Sequence, residues 1–261
     1  MERTSTKFAV DRGVATIMLD RPAARNSFNM DLAAEMLASI KEAEASPDVK
    51  ALVVTGNGGT FSAGVDIKFL QHSLATGRPQ AASKLGELFN QTVVSISRLP
   101  IPTVAVVRGH AVGGGFEVML ACDMVICADN AVIGDGHMKQ NIVGHLSLWQ
   151  MPRAAGLQKA VELGLTGKTL SGREAQEYGL VLRAVPEEML ARELETLLSQ
   201  LRDKSLPALK LAKRLIRETA AVPGIEEALG FIDAEKARDT AAWKDMEAGM
   251  KTFVDRGKAR G

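Results

Sequence analysis

Two apolar runs of the chain each lead through glycine-rich sequence into a segment whose apolar residues recur at helical spacing. One run spans residues 51–55 and is followed by GNGG at 56–59. The other spans 103–107 and is followed, a few residues on, by GGG at 113–115. Buried strands that alternate with helices are typical of an α/β fold with a largely parallel sheet. This repeated junction constrains the fold more than any other feature of the sequence.

Flanking segments extend the same alternation. The apolar runs 8–10 and 14–19 enclose a DRG turn and predict a hairpin. Asn29 is the predicted N-cap of a helix that ends at 46–48. Further strands are predicted at 49–55 and 124–128, and a further helix at 80–98. After Pro152 the pattern becomes helical, with predicted helices at 157–165, 190–201, 206–216, 225–234 and 240–253.

Glu117 stands directly after the second glycine run, within the first turn of a predicted helix. The start of a helix offers unpaired backbone N–H groups, and glycine allows another atom to approach them closely. The segment 60–68 has the same character, with a predicted helix start at Asp66. Two amides from distant parts of the chain can bind one oxygen, and a carboxylate beside them can move protons next to a carbonyl. Alternatively, the glycines only permit a turn, and Glu117 only favours the helix dipole.

Five segments in order resemble the crotonase family, the enoyl-CoA hydratase/isomerase group, over nearly the whole chain. They are RPAARNSF at 21–28, FSAGVDIK at 61–68, the stretch 113–123, LTG with EA and YGLV between 165 and 181, and a basic tail near Phe253. The resemblance implies an α/β, crotonase-like spiral of ββα turns with a C-terminal helical trimerisation region. It places the spiral core and the acyl-CoA site in 1–200, and the helical region in 201–261.

The resemblance also implies a role for each matched position. The amides of Val65 and Gly114 match the two donors to the thioester oxygen of an acyl-CoA. Glu117 matches the first of two catalytic glutamates. The surface along which coenzyme A lies is matched by Arg25, Ser27, Ala63, Asp66, Ile67, Lys68 and Phe253. Coenzyme A is part of the substrate, so no metal and no separate cofactor are implied.

One segment departs from the family pattern. VIGDGHMK at 132–139 has His137 where the family has its second glutamate, and Gly136 where it has a proline. Residues two apart in an extended chain point to the same side, so Asp135 is expected to present its carboxylate to His137. An imidazole with such a partner can give or take a proton near neutral pH. We therefore predict that His137 and Asp135 are catalytic, with a packing role for His137 as the alternative.

Three other histidines are weaker candidates. His145 is expected in a loop near the acyl end of the substrate. His72 and His110 are expected to be surface or structural residues.

The predicted function is that of an enoyl-CoA hydratase, a hydro-lyase that adds water across the 2,3 double bond, as in fatty acid metabolism. Other crotonase chemistry is an alternative, because one carboxylate suffices for isomerisation and the altered second position fits divergence toward a decarboxylase or a C–C hydrolase. A weakly active acyl-CoA-binding protein is a second alternative, and a purely structural protein is a third. The glycine runs and Glu117 speak against the third.

Bulk properties agree with these expectations. The 32 basic and 31 acidic residues nearly balance, which argues against a general nucleic-acid binder. Cys122 and Cys127 lack metal-ligand spacing and are expected to be buried and reduced. No apolar run spans a bilayer, and residues 1–7 do not resemble a signal peptide, so we predict a cytoplasmic enzyme. The resemblance adds a homotrimer or a dimer of trimers.

Overall fold

The computed structural model describes residues 3–258, and their side chains as far as residue 252. In this part of the chain, nine strands form a six-stranded sheet in the order β1-β2-β3-β4-β6-β9 and a three-stranded sheet in the order β5-β7-β8. The strands are β1 (Thr6–Asp11), β2 (Val14–Leu19), β3 (Ala51–Gly56), β4 (Thr103–Val107), β5 (His110–Val112), β6 (Met124–Ala128), β7 (Val132–Gly134), β8 (Leu170–Ser171) and β9 (Arg183–Val185).

Eleven α-helices accompany the strands within the described residues. They are α1 (Met30–Ala45), α2 (Ile67–Ala75), α3 (Pro79–Arg98), α4 (Gly114–Ala121), α5 (Ser147–Ala155), α6 (Leu157–Thr166), α7 (Gly172–Glu177), α8 (Leu190–Arg202), α9 (Leu206–Thr219), α10 (Ile225–Arg238) and α11 (Thr240–Lys258). The predicted strands and helices are therefore confirmed, with small differences at their ends.

The main sheet is parallel except at one edge. β1 and β2 form the predicted antiparallel hairpin, with Asp11 opposite Val14, and β2, β3, β4, β6 and β9 then pair in parallel. Every residue of β4 is buried, so this strand has helices on both faces and its sequence is continuously apolar. The parallel arrangement brings the carboxyl ends of β3 and β4, with the loops that follow them, to one side of the sheet.

Helix α1 begins where the sequence predicts. The Asn29 side chain accepts a hydrogen bond of 2.9 Å from the Leu32 amide, which satisfies one of the unpaired N–H groups of the first turn. Leu32, Met36 and Ile40 are buried against the sheet and against α3. Next to this helix, the rings of Phe28 and Phe89 meet edge to face at 5.0 Å between centroids. Phe89 thereby fixes α3 beside the loop that precedes α2.

The sequence interpretation was wrong in making the chain after Pro152 wholly helical. β8 completes the small sheet by pairing with β7, and β9 forms an edge of the main sheet by pairing with β6. These strands have two and three residues, too few for an alternating pattern to stand out. Their conformation is set by their partners. Helices α5 and α7 were also not predicted.

The C-terminal helices α9, α10 and α11 contact one another, and α9 is tied to the sheet by ion pairs. Lys213 Nζ lies 2.6 Å from Asp123 Oδ2, and Arg217 Nη2 lies 2.7 Å from Asp123 Oδ1. The α/β class with a helical C-terminal region is thus confirmed. The boundary at residue 200 stays a prediction. Among the described residues, no helix is both long and apolar enough to cross a membrane.

Candidate functional site

A cavity of about 820 Å³ lies between α3, the loop before α2, the start of α4 and the segment after β7. Most of the predicted site residues line it. They are Arg25, Ala63, Val65, Ile67, Gly114, Glu117, Asp135 and His137. The sequence segments that contribute them are up to a hundred residues apart, so the fold gathers the predicted residues at one place.

The two glycine-rich loops meet at Gly64 and Gly114. A Cβ atom on Gly64 would lie 2.8 Å from the Gly114 nitrogen and 3.0 Å from the Val112 carbonyl oxygen. Gly64 has a φ of +94°, a conformation that favours glycine. A Cβ on Gly114 would lie 3.3 Å from Val65 Cγ2. Glycine is required here because two backbones pass within contact distance of each other.

The amides of Val65 and Gly114 are both available as donors. Within residues 3–258 neither of them gives its hydrogen to another protein group: the bridge between Phe28 and Val65 uses the neighbouring Gly64 carbonyl and Asp66 amide. Gly114 is the first residue of α4, so its N–H has no acceptor in the helix. Unpaired N–H groups at a helix start favour an anion or a polarised oxygen.

Glu117 lies in the first turn of α4, as predicted, and is 2% exposed. Its Oε1 accepts a hydrogen bond of 3.0 Å from the backbone amide of Ser147, and its own carbonyl accepts one of 3.0 Å from Gln150 Nε2. Both partners belong to α5. The carboxylate is therefore held by a helix that the sequence interpretation missed.

The side chains of Asp135 and His137 are paired. Asp135 Oδ1 lies 2.9 Å from His137 Nδ1, and Asp135 is 1% exposed. The predicted pairing is confirmed, but the predicted reason for it was wrong. The chain is not extended here: Gly136 has a φ of +65°, and His137 begins a 3-10 turn. A left-handed glycine turns the chain so that the ring folds back onto the carboxylate.

Burial and pairing act in opposite directions on these two groups. Burial by itself raises the pKa of Asp135, but the hydrogen bond and charge of His137 outweigh it, so the pKa lies below the ordinary value of 3.8. The hydrogen bond to Asp135 raises the pKa of His137 above 6.5, against the effect of burial, and the charges of Asp135 and Glu117 add to this. The imidazolium form is thus favoured near neutral pH.

The second ring nitrogen of His137 borders the glycine turn. A Cβ atom on Gly113 would lie 3.5 Å from His137 Nε2, and Gly113 directly precedes the Gly114 amide. With Nδ1 occupied by Asp135, Nε2 is the nitrogen available for proton transfer. The geometry thus gives an imidazole, a carboxylate and two free amides around one cavity.

The remaining predicted residues lie at the margin of the site or beyond it. Asp66 caps α2 by accepting from the Phe69 amide, and its Oδ2 lies 3.3 Å from Arg21 Nη1. Ser27 is buried, and its carbonyl accepts a hydrogen bond from Arg21. Lys68 is exposed and does not line the cavity. The side chain of Phe253 lies outside the described residues.

Several residues in or beside the cavity were not predicted as site residues. Ser147 and Gln150 contact Glu117, while Phe89, Asn90 and Lys139 line the cavity wall. His110 and His145 are exposed and also line it, which agrees with the expectation for His145. The spacing of Ser147 and Gln150, three residues apart on one helix face, was the available signal. Within the side chains described, no three His, Cys, Asp or Glu groups are placed to bind a metal ion.

Comparisons with known proteins agree with this geometry. The family model for enoyl-CoA hydratase/isomerase matches residues 9–260. A putative enoyl-CoA hydratase of Thermus thermophilus is 33% identical over 255 residues, 95% of this chain and 97% of that protein. The 1,2-epoxyphenylacetyl-CoA isomerase of Escherichia coli is 31% identical over 208 residues, 79% of each protein.

A solved structure confirms the predicted fold. The crystal structure of an enoyl-CoA hydratase from Bacillus anthracis matches with a TM-score of 0.89 at 26% identity, and the match covers 97% of each chain. The coverage leaves no large part of either chain unmatched. The chain therefore belongs to the enoyl-CoA hydratase/isomerase family and has the crotonase fold.

Proposed function

We propose that the protein is an enoyl-CoA hydratase that forms a 3-hydroxyacyl-CoA. The observation that carries the proposal is the meeting of two free amides, Val65 and Gly114, beside the buried carboxylate of Glu117. In the proposed reaction both amides donate to the thioester oxygen and form an oxyanion hole. A donor of this kind typically contributes about 2.7–4 kcal/mol of transition-state stabilisation.

The two amides polarise the conjugated enoyl group and make its β-carbon electrophilic. Glu117 takes a proton from a water molecule as the water oxygen bonds to that carbon. The electron pair of the double bond moves toward the thioester and gives an enolate, which the same two amides stabilise. The hydrogen bond from the Ser147 amide to Oε1 keeps the Glu117 carboxylate in one orientation during this step.

A proton must then reach the α-carbon, and His137 is the proposed donor. Asp135 supports its imidazolium form through Nδ1, while Nε2 borders the glycine turn next to Gly114. The neutral imidazole that remains recovers its proton from solvent or from protonated Glu117, which restores the enzyme. His137 with Asp135 thus supplies the acid that the family's second glutamate position implies.

The test is turnover of crotonyl-CoA by the purified protein. Loss of the enoyl absorbance together with a product heavier by one water is the expected result. Glu117→Gln should keep most of the substrate affinity but lower kcat by about 10²–10⁴-fold, because a positioned acid or base contributes that much. Full activity of Glu117→Gln would exclude the proposed role of this carboxylate.

A double-bond isomerase is the second candidate. It is favoured by the similarity to the E. coli isomerase and by the fact that one carboxylate can carry a proton between two carbons. An isomerase would convert a 3-enoyl-CoA to a 2-enoyl-CoA with no change in mass and would leave crotonyl-CoA unhydrated. A decarboxylase or C–C hydrolase would act only on 3-oxoacyl or malonyl-type thioesters, and a weakly active binding protein would bind acyl-CoA with no turnover.

The remaining parts of the proposal concern ligand and assembly. Arg25, Ala63 and Ile67 line the cavity and are proposed to contact coenzyme A, with Ser27, Asp66, Lys68 and Phe253 completing that surface. We propose a cytoplasmic homotrimer or dimer of trimers that needs no metal or separate cofactor. Sedimentation analysis and metal determination on the active protein test these points.

A further inference from the structure

Three buried polar atoms beside the cavity have no hydrogen-bond partner. They are Asp135 Oδ2, Ser147 Oγ and Gln150 Oε1, and in the described part of the chain they are the only buried side-chain polar atoms of this kind. Ser147 is 0% exposed, so its hydroxyl has no access to bulk water. Leaving a buried polar group unpaired is costly, which makes an unpaired donor next to an unpaired acceptor a feature that requires an explanation.

The Ser147 hydroxyl and the Asp135 carboxylate both border Gly144. A Cβ atom on Gly144 would lie 2.8 Å from Ser147 Oγ, 2.9 Å from Asp135 Oδ1 and 3.1 Å from Asp135 Oδ2. Glycine at this position leaves the space in which the two side chains approach each other. Oδ1 is already bonded to His137, so Oδ2 is the oxygen left for the serine hydroxyl.

The backbone of the same serine holds the other acid–base group. The Ser147 amide donates to Glu117 Oε1 at 3.0 Å. One residue at the start of α5 therefore contacts Glu117 through its amide and lies beside Asp135 through its hydroxyl. A side-chain substitution can remove the second contact while the first remains.

We propose that Ser147 is a positioning residue that couples Glu117 to the Asp135–His137 pair, with its hydroxyl donating to Asp135 Oδ2. Its importance for turnover rests on the proposed function, whereas the coupling itself does not. The hydroxyl holds the carboxylate so that Oδ1 faces His137 Nδ1, and it satisfies the second oxygen. The charged groups that act on His137 are Asp135 and Glu117, and Lys139 and His145 line the same cavity.

The test is a titration of His137 in the full-length protein by NMR, with its ring signal assigned by its loss in His137→Gln. Ser147→Ala removes the hydroxyl and keeps the amide. Without that donor the Asp135 carboxylate attracts the His137 proton more strongly, so the pKa of His137 should rise by about 0.5–1 relative to the unsubstituted protein. Ser147→Cys, with a weaker donor of similar size, should give a smaller rise.

Ser39→Ala is the matched control. Ser39 is also 0% exposed and hydrogen-bonded, but it lies in α1, away from the cavity. It should alter stability without moving the pKa of His137. An unchanged or lowered pKa in both Ser147 variants would overturn the proposal, and this result is independent of any substrate.

Kinetics then connect the coupling to catalysis. With crotonyl-CoA, Ser147→Ala should lower kcat about tenfold, change KM by less than about twofold and move the alkaline limb of the rate profile to higher pH. A protein that shows the NMR shift but never turns over crotonyl-CoA would refute the proposed function and leave the coupling in place. Unchanged kcat and an unchanged profile in an active enzyme would overturn the positioning role.

Discussion

The Cα of Gly64 packs against the amide of Gly114, close enough that a Cβ atom on Gly64 would lie 2.8 Å from the Gly114 nitrogen. This contact joins the loop after β3 to the start of α4. Any side chain at residue 64 must push the two loops apart, because the obstructing atoms are backbone atoms. The proposed oxyanion hole depends on this single approach.

Gly64→Ala should therefore lower kcat at least about 10²-fold, the typical loss for one oxyanion donor. Gly59→Ala is the matched control: Gly59 has a φ of +74°, but nothing lies within 4 Å of its Cβ position. Both variants carry the backbone strain of about 1–3 kcal/mol, so their unfolding temperatures should fall. Turnover should fall only in Gly64→Ala. Equal activity of the two variants would contradict the proposed hole.

The Asp135–His137 pair should make stability depend on pH in a defined direction. The pKa of His137 is raised above 6.5, so its protonated form stabilises the fold at lower pH, and this contribution is lost as the pH rises through the raised value. The pKa of Asp135 is lowered below 3.8, so its contribution is present above 3.8 and is lost as the pH falls through the lowered value.

His137→Gln should thus be less stable than the unsubstituted protein mainly between these two limits. Urea unfolding at about pH 5 and about pH 9 measures the difference, which should shrink at the higher pH. His72→Gln is the control, since His72 is exposed and lies outside the cavity. A difference that is constant over this range would mean that the charge of His137 contributes nothing to stability.

Gly86 should determine how large an acyl group the cavity accepts. It lies within α3, lines the cavity and has nothing within 4 Å of its Cβ position. Gly86→Leu should gain helix propensity of about 1 kcal/mol and place a side chain where the cavity is now open. The ratio of kcat/KM for crotonyl-CoA to that for a ten-carbon enoyl-CoA should increase about tenfold or more.

Gly230→Leu controls for the change in helix propensity. Gly230 is also within a helix, α10, with nothing within 4 Å of its Cβ position, but it does not line the cavity. This variant should leave the chain-length preference unchanged. If Gly86→Leu behaves in the same way, the acyl group does not extend along α3.

Asp123 should be a main point of attachment of α9. It pairs with Lys213 and Arg217, and its Oδ2 also accepts the Thr103 amide at 2.8 Å. Burial lowers the pKa of Lys213, which shows how poorly solvated this ammonium group is. Asp123→Ala should cost about 3–5 kcal/mol in the free energy of unfolding, because it leaves that charge without its partner.

Asp123→Ala combined with Lys213→Met should recover part of the loss, since the second change removes the isolated charge. The control is Asp11→Ala, because the ion pair of Asp11 with Arg12 is largely exposed and should contribute little. Urea unfolding measures all three. No recovery in the double variant would place the loss in the Thr103 hydrogen bonds instead.

The sequence by itself determined the local elements and most of the residues around the cavity. The apolar spacing of 103–107, the cap at Asn29 and the position of Glu117 after three glycines are local properties, so the pattern of neighbouring residues specifies them. The prediction of His137 and Asp135 was correct about their pairing and wrong about the backbone that produces it. The turn depends on a left-handed Gly136, which the extended reading did not include.

Only the tertiary structure decided which distant groups touch. The pairing of β9 with β6, the contact between Gly64 and Gly114, and the Ser147 amide on Glu117 all join segments far apart in the chain. No local spacing encodes such contacts, because they arise when helices and sheets bury their apolar faces against one another. Three-residue β9 and the unpatterned start of α5 therefore acquire their conformations and their roles from what they pack against.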